Sequence, residues 1–156
     1  MSNQHHYKTT LEWTGNTGSG TSSYRAYSRN HVVSVANKED ILCSSDPSFR
    51  GDPSRYNPEE LLVASLSSCH MLWYLHLCAV NNIVVIAYKD NAEGTMQENE
   101  DGSGDFTGVI LHPVVTVADT SMQERAVALH HEANRLCFIA RSVKFPVTHQ
   151  PAILIS

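Results

Sequence analysis

The sequence comprises 156 residues, of which 42% are apolar and 17% charged, with eight glycines and six prolines. That length and mixture fit one soluble globular domain around a single main core, and they exclude collagen-like, low-complexity and coiled-coil chains. Eleven Lys and Arg against sixteen Asp and Glu give a net charge of −5 with no basic cluster, so nucleic acid and anionic membranes are not expected partners.

The opening stretch to Thr10 is polar and lacks the apolar segment and cleavage site of a secretory signal, which places the expected location in the cytoplasm. In that compartment Cys43, Cys69, Cys78 and Cys137 are expected as thiols, and any pairing between them would be catalytic. None of them forms a CxxC, so neither a zinc ribbon nor a thioredoxin-type motif is present.

From Tyr7 to Trp13 the residues alternate with period two, the pattern of a half-buried strand. A Gly/Ser/Thr loop over Gly15 to Ser23 leads to a second strand from Tyr24 to Val35 and a short third from Ile41 to Cys43, an antiparallel meander. After a Ser/Pro/Asp/Gly loop from Ser44 to Tyr56, Asn57-Pro58-Glu59-Glu60 reads as a helix start. The Asn accepts from an orphan amide, Pro fits the first turn, and the two carboxylates complement the helix dipole.

From Leu61 to Val80, 15 of 20 residues are apolar, which calls for a helix buried on most faces. The uncharged run to Tyr88 is long enough to cross a membrane, but its two histidines, three serines and acidic flank favour a central core helix. Asn81-Asn82 turns into a strand over Ile83 to Ile86. Asp101 to Asp105 makes a hairpin turn, since it lacks the acidic spacing of a calcium loop, and Phe106 to Val117 returns as a long β segment with an edge or bend at Pro113. Ser121-Met122-Gln123-Glu124 reads as a capping box for a helix through about Ile139, and a last β segment runs from Val143 to Ile155. The order predicts an α+β domain with no βαβ repeats.

Metal chemistry finds no support. His130-His131-Glu132 supplies half of a zinc-deaminase pattern without the later Cys pair, and Arg135 stands where a metalloprotease pattern needs His. His112, His130, His131 and His149 read as surface or packing residues. No cofactor is expected. Taken alone, Cys69 in the middle of a buried helix reads as a small apolar residue.

The string from Asn57 to Cys69, NPEELLVASLSSC, strongly resembles the signature helix of the OsmC/Ohr family of thiol peroxidases, the osmotically inducible and organic hydroperoxide resistance proteins. It couples an Asn-Pro-Glu start to a Cys ten residues after the Glu. Cys137 to Val143, CFIARSV, is similar to the family's second cysteine motif. The resemblance spans essentially the whole chain and implies the OsmC-like fold, antiparallel sheets with two central buried helices in an intertwined homodimer.

By that resemblance Cys69 is the peroxidatic thiol, Cys137 the resolving thiol and Glu59 the family carboxylate. Arg29 is the best match to the family's early-strand arginine, with Arg25 the alternative. Two departures stand out: Phe138-Ile139 replaces the Pro-Tyr of the organic hydroperoxide branch, and Asp46 to Tyr56 forms a distinct loop, which together suggest a separate subgroup. Glu59 would orient Arg29, which would favour the Cys69 thiolate and the charge developing on the peroxide oxygen. Leu66, Met71, Leu72 and Phe138 would wall the site and favour organic hydroperoxides, with a dithiol reductant, such as a dihydrolipoyl group, resetting the cycle.

An unbroken helix would place Glu59 and Cys69 roughly 15 Å apart at 1.5 Å per residue, too far for one Arg to bridge. Arg29 and Glu59 are therefore expected to reach Cys69 from the partner chain. The alternative is an OsmC-fold protein that binds a small apolar or thiol-reactive ligand without turnover. Cys43 and Cys78 read as core packing.

Overall fold

The computed structural model describes residues 3–156, so the first two residues of the polar N-terminal stretch lie outside the described residues. The chain divides into two compact units, residues 1–61 and 62–156.

In the N-terminal unit, β1 (Thr10–Trp13), β2 (His31–Ser34) and β3 (Ile41–Cys43) form the expected antiparallel meander, with Leu11 opposite Val33 and Val32 opposite Leu42. Two expectations need correction. β1 begins three residues later than the alternation suggests, and all four of its residues are exposed rather than half-buried. Tyr24 to Asn30 is not strand, because it folds back on itself and spends its backbone groups locally. Ser28 pairs through its N–H with the Gly15 carbonyl, and Arg29 turns its side chain onto the carbonyls of Tyr24 and Tyr27.

Helix α1 (Pro58–Val80) starts where Asn57 predicts. The Asn57 Oδ1 accepts from the Glu60 N–H at 2.8 Å and the Glu60 carboxylate accepts from the Asn57 N–H at 3.2 Å, a reciprocal capping box. Asn57 is only 6% exposed, so truncation leaves orphan donors with little water to replace it. Asn57→Ala is expected to cost about 1–2 kcal/mol in urea unfolding, and Asn57→Asp to recover most of it.

α1 is not buried on most faces. Its buried residues are Leu66, His70, Tyr74 and Cys78, a single stripe at four-residue spacing, while Leu72 is 61% exposed within the chain. α2 (Gln123–Leu136) buries Ala126, Leu129, His130 and Ala133, the spacing of an amphipathic helix. It ends three residues short of Ile139, with Cys137 as its C-cap in extended conformation. Nor does Ser121 cap it: Asp119 accepts from the Ser121 N–H and caps a 3-10 turn, Thr120–Met122, that feeds the helix.

The C-terminal unit carries two three-stranded sheets, β4-β7-β9 and β5-β6-β8. These are β4 (Val85–Asp90), β5 (Glu93–Glu98), β6 (Gly104–Leu111), β7 (Pro113–Val117), β8 (Val147–His149) and β9 (Ala152–Ile155). β5 has no apolar alternation and is invisible to pattern reading, being exposed along its whole length. The single long segments expected over Phe106–Val117 and Val143–Ile155 are each two strands that switch sheets, at His112 and at Gln150-Pro151.

Proline explains the switches. Pro113 and Pro151 bring no N–H to a ladder, and the His112 N–H is diverted to the Asp90 carboxylate at 2.7 Å. Pro113 thus marks a bend at the start of a central strand rather than an edge. The sheets are mixed rather than wholly antiparallel, since β8 runs parallel to β6 and β9 parallel to β7.

Two apolar clusters fill the C-terminal unit. One gathers Tyr74, Cys78, Val115, Val117 and Leu129, the other Leu66, Val109 and Leu111. Leu66 is therefore core and does not wall an open site, correcting that assignment.

Candidate functional site

The structure brings Cys69 and Cys137 together. Cys69 projects from the middle of α1 and is half-buried, whereas Cys137 caps α2 and is 1% exposed. All four cysteines are free thiols. The Cys137 thiol is pushed up to about 11, mainly by burial, with the neighbouring Cys69 thiol acting in the same direction. The Ala140 N–H, 3.4 Å from the Cys137 sulfur, opposes that rise. Cys137 is therefore a poor first nucleophile, and the half-buried Cys69 has the better access.

Leu72, Trp73 and His76 line a cavity of about 290 Å³ on α1. They lie three, four and seven positions after Cys69, hence on its face of the helix. Phe138, next to Cys137 and 66% exposed, sets its ring edge-on to Trp73 with centroids 5.4 Å apart. An apolar wall therefore adjoins the two sulfurs, built from Leu72, Trp73 and Phe138. Cys43 and Cys78 are buried and have packing roles.

Arg29 and Glu59 belong to the N-terminal unit. The Arg29 guanidinium donates to the Tyr27 carbonyl at 2.7 Å and the Tyr24 carbonyl at 2.8 Å, and lies 4.1 and 4.5 Å from the centres of their rings. It forms no ion pair with Glu59 among the described residues. Glu59 stands in the first turn of α1 with Oε2 buried and without a partner. Arg25 is exposed.

One group escaped sequence reading. His70 on α1, His130 on α2 and His149 at the end of β8 gather in the C-terminal unit, with ring centroids 5.4 to 6.1 Å apart. His70 Nε2 and His130 Nδ1 are 3.0 Å apart, and His130 stacks on Tyr74 at 3.8 Å. His70 Nδ1, His130 Nε2 and His149 Nδ1 are buried without partners. Burial lowers His70 to about 4 and His130 to about 3, and also lowers His149. The only signal in sequence was the position of His70, midway between the core residues Leu66 and Tyr74. Among the described residues no group of three His, Cys, Asp or Glu is arranged to hold a metal ion.

Comparison with known proteins identifies the family to which this fold and its two cysteines belong. The family model for OsmC-like proteins matches residues 51–151, and the chain belongs to that family. An OsmC-like protein of unknown function from Vibrio cholerae is similar at 32% identity over 95% of this chain and 99% of its own, with a TM-score of 0.84. The fold is shared at 19% identity with an organic hydroperoxide resistance protein OsmC from Legionella pneumophila, over 97% of this chain and 99% of that one, TM-score 0.68. An organic hydroperoxide resistance protein from Elizabethkingia anophelis is similar at 17% identity over 99% of this chain and all of its own, TM-score 0.66. Comparison with curated proteins found no match.

Proposed function

We propose that this protein is a cysteine-based peroxidase that reduces organic hydroperoxides. The observation that carries the reading is a half-buried Cys69 neighbouring a buried Cys137 beside an apolar wall. The Cys69 thiolate attacks the outer peroxide oxygen. The O–O bond breaks, the alkoxide leaves and takes a proton as the alcohol, and Cys69 becomes a sulfenic acid. Cys137 then loses its proton and attacks the Cys69 sulfur, water departs, and a disulfide forms. A dithiol, of dihydrolipoyl type, exchanges with it and restores both thiols.

Arg29 and Glu59 complete the site from the second subunit of a homodimer. α1 runs unbroken from Pro58 to Val80, so Glu59 and Cys69 of one chain are separated by roughly 15 Å along it. The partnerless Glu59 oxygen is available to a guanidinium, and Arg29 has donors left beyond the two it spends on carbonyls. The cytoplasm, which keeps thiols reduced, is the compartment this cycle requires.

The test is steady-state consumption of cumene hydroperoxide and of hydrogen peroxide with dihydrolipoamide as reductant. Expected is turnover with both, with kcat/KM at least tenfold higher for the organic peroxide. Absence of turnover with either peroxide and a range of dithiols would favour the second reading, a ligand-binding OsmC-fold protein.

A further inference from the structure

In a Cys69–Cys137 disulfide the two sulfurs would not be equivalent towards an entering thiol. Cys69 is half-buried on α1, on the helix face where Leu72, Trp73 and His76 line their cavity of about 290 Å³, whereas Cys137 is 1% exposed. Cys137 is also fixed from behind. Its N–H donates to the Asn134 carbonyl at 3.3 Å, its carbonyl accepts from the Arg141 N–H at 3.0 Å, and its sulfur accepts from the Ala140 N–H at 3.4 Å. Ile139 and Ala140, which follow it, pack against the buried cluster of Leu66, Val109 and Leu111. The turn that carries Cys137 is thus tied on both sides of the residue, and its sulfur stays inside.

Thiol–disulfide exchange is a displacement in which the entering sulfur, the sulfur attacked and the leaving sulfur lie close to one line. Attack on Cys69 follows the line that runs outward from Cys137, so it comes from the open side of α1. Attack on Cys137 would have to come from the other end of that line, through the turn and the core behind it. Leaving-group strength argues the opposite way. A thiol pushed up to about 11 leaves less readily than an ordinary one, which by itself favours attack on Cys137. That effect slows a route without closing it, and the Ala140 N–H offsets part of it by meeting the thiolate as it forms. The want of a line of approach closes the other route, so access decides.

We infer that the reductant attacks Cys69 and not Cys137, so that the mixed disulfide of the resetting half-reaction forms on Cys69. The bond between the two protein sulfurs breaks, a new S–S bond joins the reductant to Cys69, and Cys137 departs as a thiolate that takes up a proton. The second thiol of the reductant, once deprotonated, attacks the reductant sulfur of the mixed disulfide. The reductant closes to a cyclic disulfide, having given up two electrons, and Cys69 is released last as the thiolate that meets the next peroxide. This assignment rests on the proposed pairing of Cys69 with Cys137, whatever oxidant makes the pair.

The test starts from the full chain oxidised with diamide, which forms the disulfide without a peroxide. The oxidised protein is mixed with N-acetylcysteine, quenched with acid at short times, unfolded, alkylated with N-ethylmaleimide and mapped by peptide mass. A monothiol is used because it cannot close a ring and so leaves the mixed disulfide in place. Expected at the earliest times is N-acetylcysteine on Cys69 with N-ethylmaleimide on Cys137, in excess of the reverse arrangement by about tenfold or more. An excess of the adduct on Cys137, an even split, or no Cys69–Cys137 disulfide after diamide overturns the assignment. The expected pattern in a protein that does not turn over cumene hydroperoxide would uphold the exchange and remove only the peroxide chemistry.

Discussion

Cys69→Ser is expected to lower hydroperoxide turnover on the order of a thousandfold or more, to the level of the uncatalysed reaction with the dithiol. A serine hydroxyl at this position is not ionised near neutral pH and cannot accept the peroxide oxygen as a sulfenic acid. Cys137→Ser should fail differently, consuming one equivalent of peroxide in a burst and then stalling with oxidised Cys69. The contrast follows from their placement: Cys69 has access but Cys137 is buried, with a thiol pushed up to about 11. Burst kinetics under limiting peroxide check both variants. Equal loss of the burst in the two would contradict the division of roles.

Acidification is expected to unfold the protein through its buried histidines. His70 and His130 are 1% and 0% exposed, and burial holds them at about 4 and about 3. Their hydrogen bond needs one ring to donate and the other to accept, which two neutral imidazoles can do and two imidazolium ions cannot. Asp90, whose charge acts on His70 in the opposite sense, is too weak an influence to reverse the shift, and His149 adds its own charge against both.

The sign follows from linkage. The unfolded chain takes up these protons near pH 6.5, so the stabilisation is full above that pH and falls as the pH drops towards the folded values. The loss is about 1.4 kcal/mol per pH unit for each histidine, on the order of 5 kcal/mol for the pair at pH 4.5. That rivals the whole stability of an ordinary domain. Urea titrations from pH 7 to 4.5 should show the decline beginning near 6.5. Replacing one ring, as in His130→Phe, leaves His70 without its partner and should cost about 1–3 kcal/mol at pH 7. The pair His70→Leu with His130→Phe should be milder than either alone and move the acid transition to lower pH. A wild-type stability flat from pH 7 to 5 would contradict this assignment.

What could be read from sequence divides by the range of the interaction. The Asn57 cap, the extent of α1 and the β1-β2-β3 order are set by neighbours along the chain, and these agree with the structure. The sheet switches at His112 and Gln150 depend on which carboxylate reaches a freed N–H and which strands stack; Pro113 hinted at the first, and nothing in the sequence reading marked the second. β5 has no apolar face to betray it. The start of α2 moved because Asp119 caps a 3-10 turn ahead of it, and no side chain caps α2 itself.

For the site, the cysteine motifs pointed to the two sulfurs that meet. Composition and periodicity alone would have left both as packing residues. The histidine group joins α1, α2 and β8 from positions 60 and 19 residues apart in sequence, and no local pattern marks such a meeting. Leu66 was misplaced because an apolar residue near Cys69 can face the core or the cavity, and only packing against Val109 and Leu111 decides.

The most direct test of the central claim is non-reducing peptide mass mapping after one equivalent of an organic hydroperoxide, on wild type, Cys69→Ser and Cys137→Ser. The account predicts a Cys69–Cys137 disulfide in the wild type and a trapped sulfenic acid on Cys69 when Cys137 is absent. Thiols left unmodified in all three proteins would contradict it, and the fold would then serve to bind a ligand rather than to reduce one.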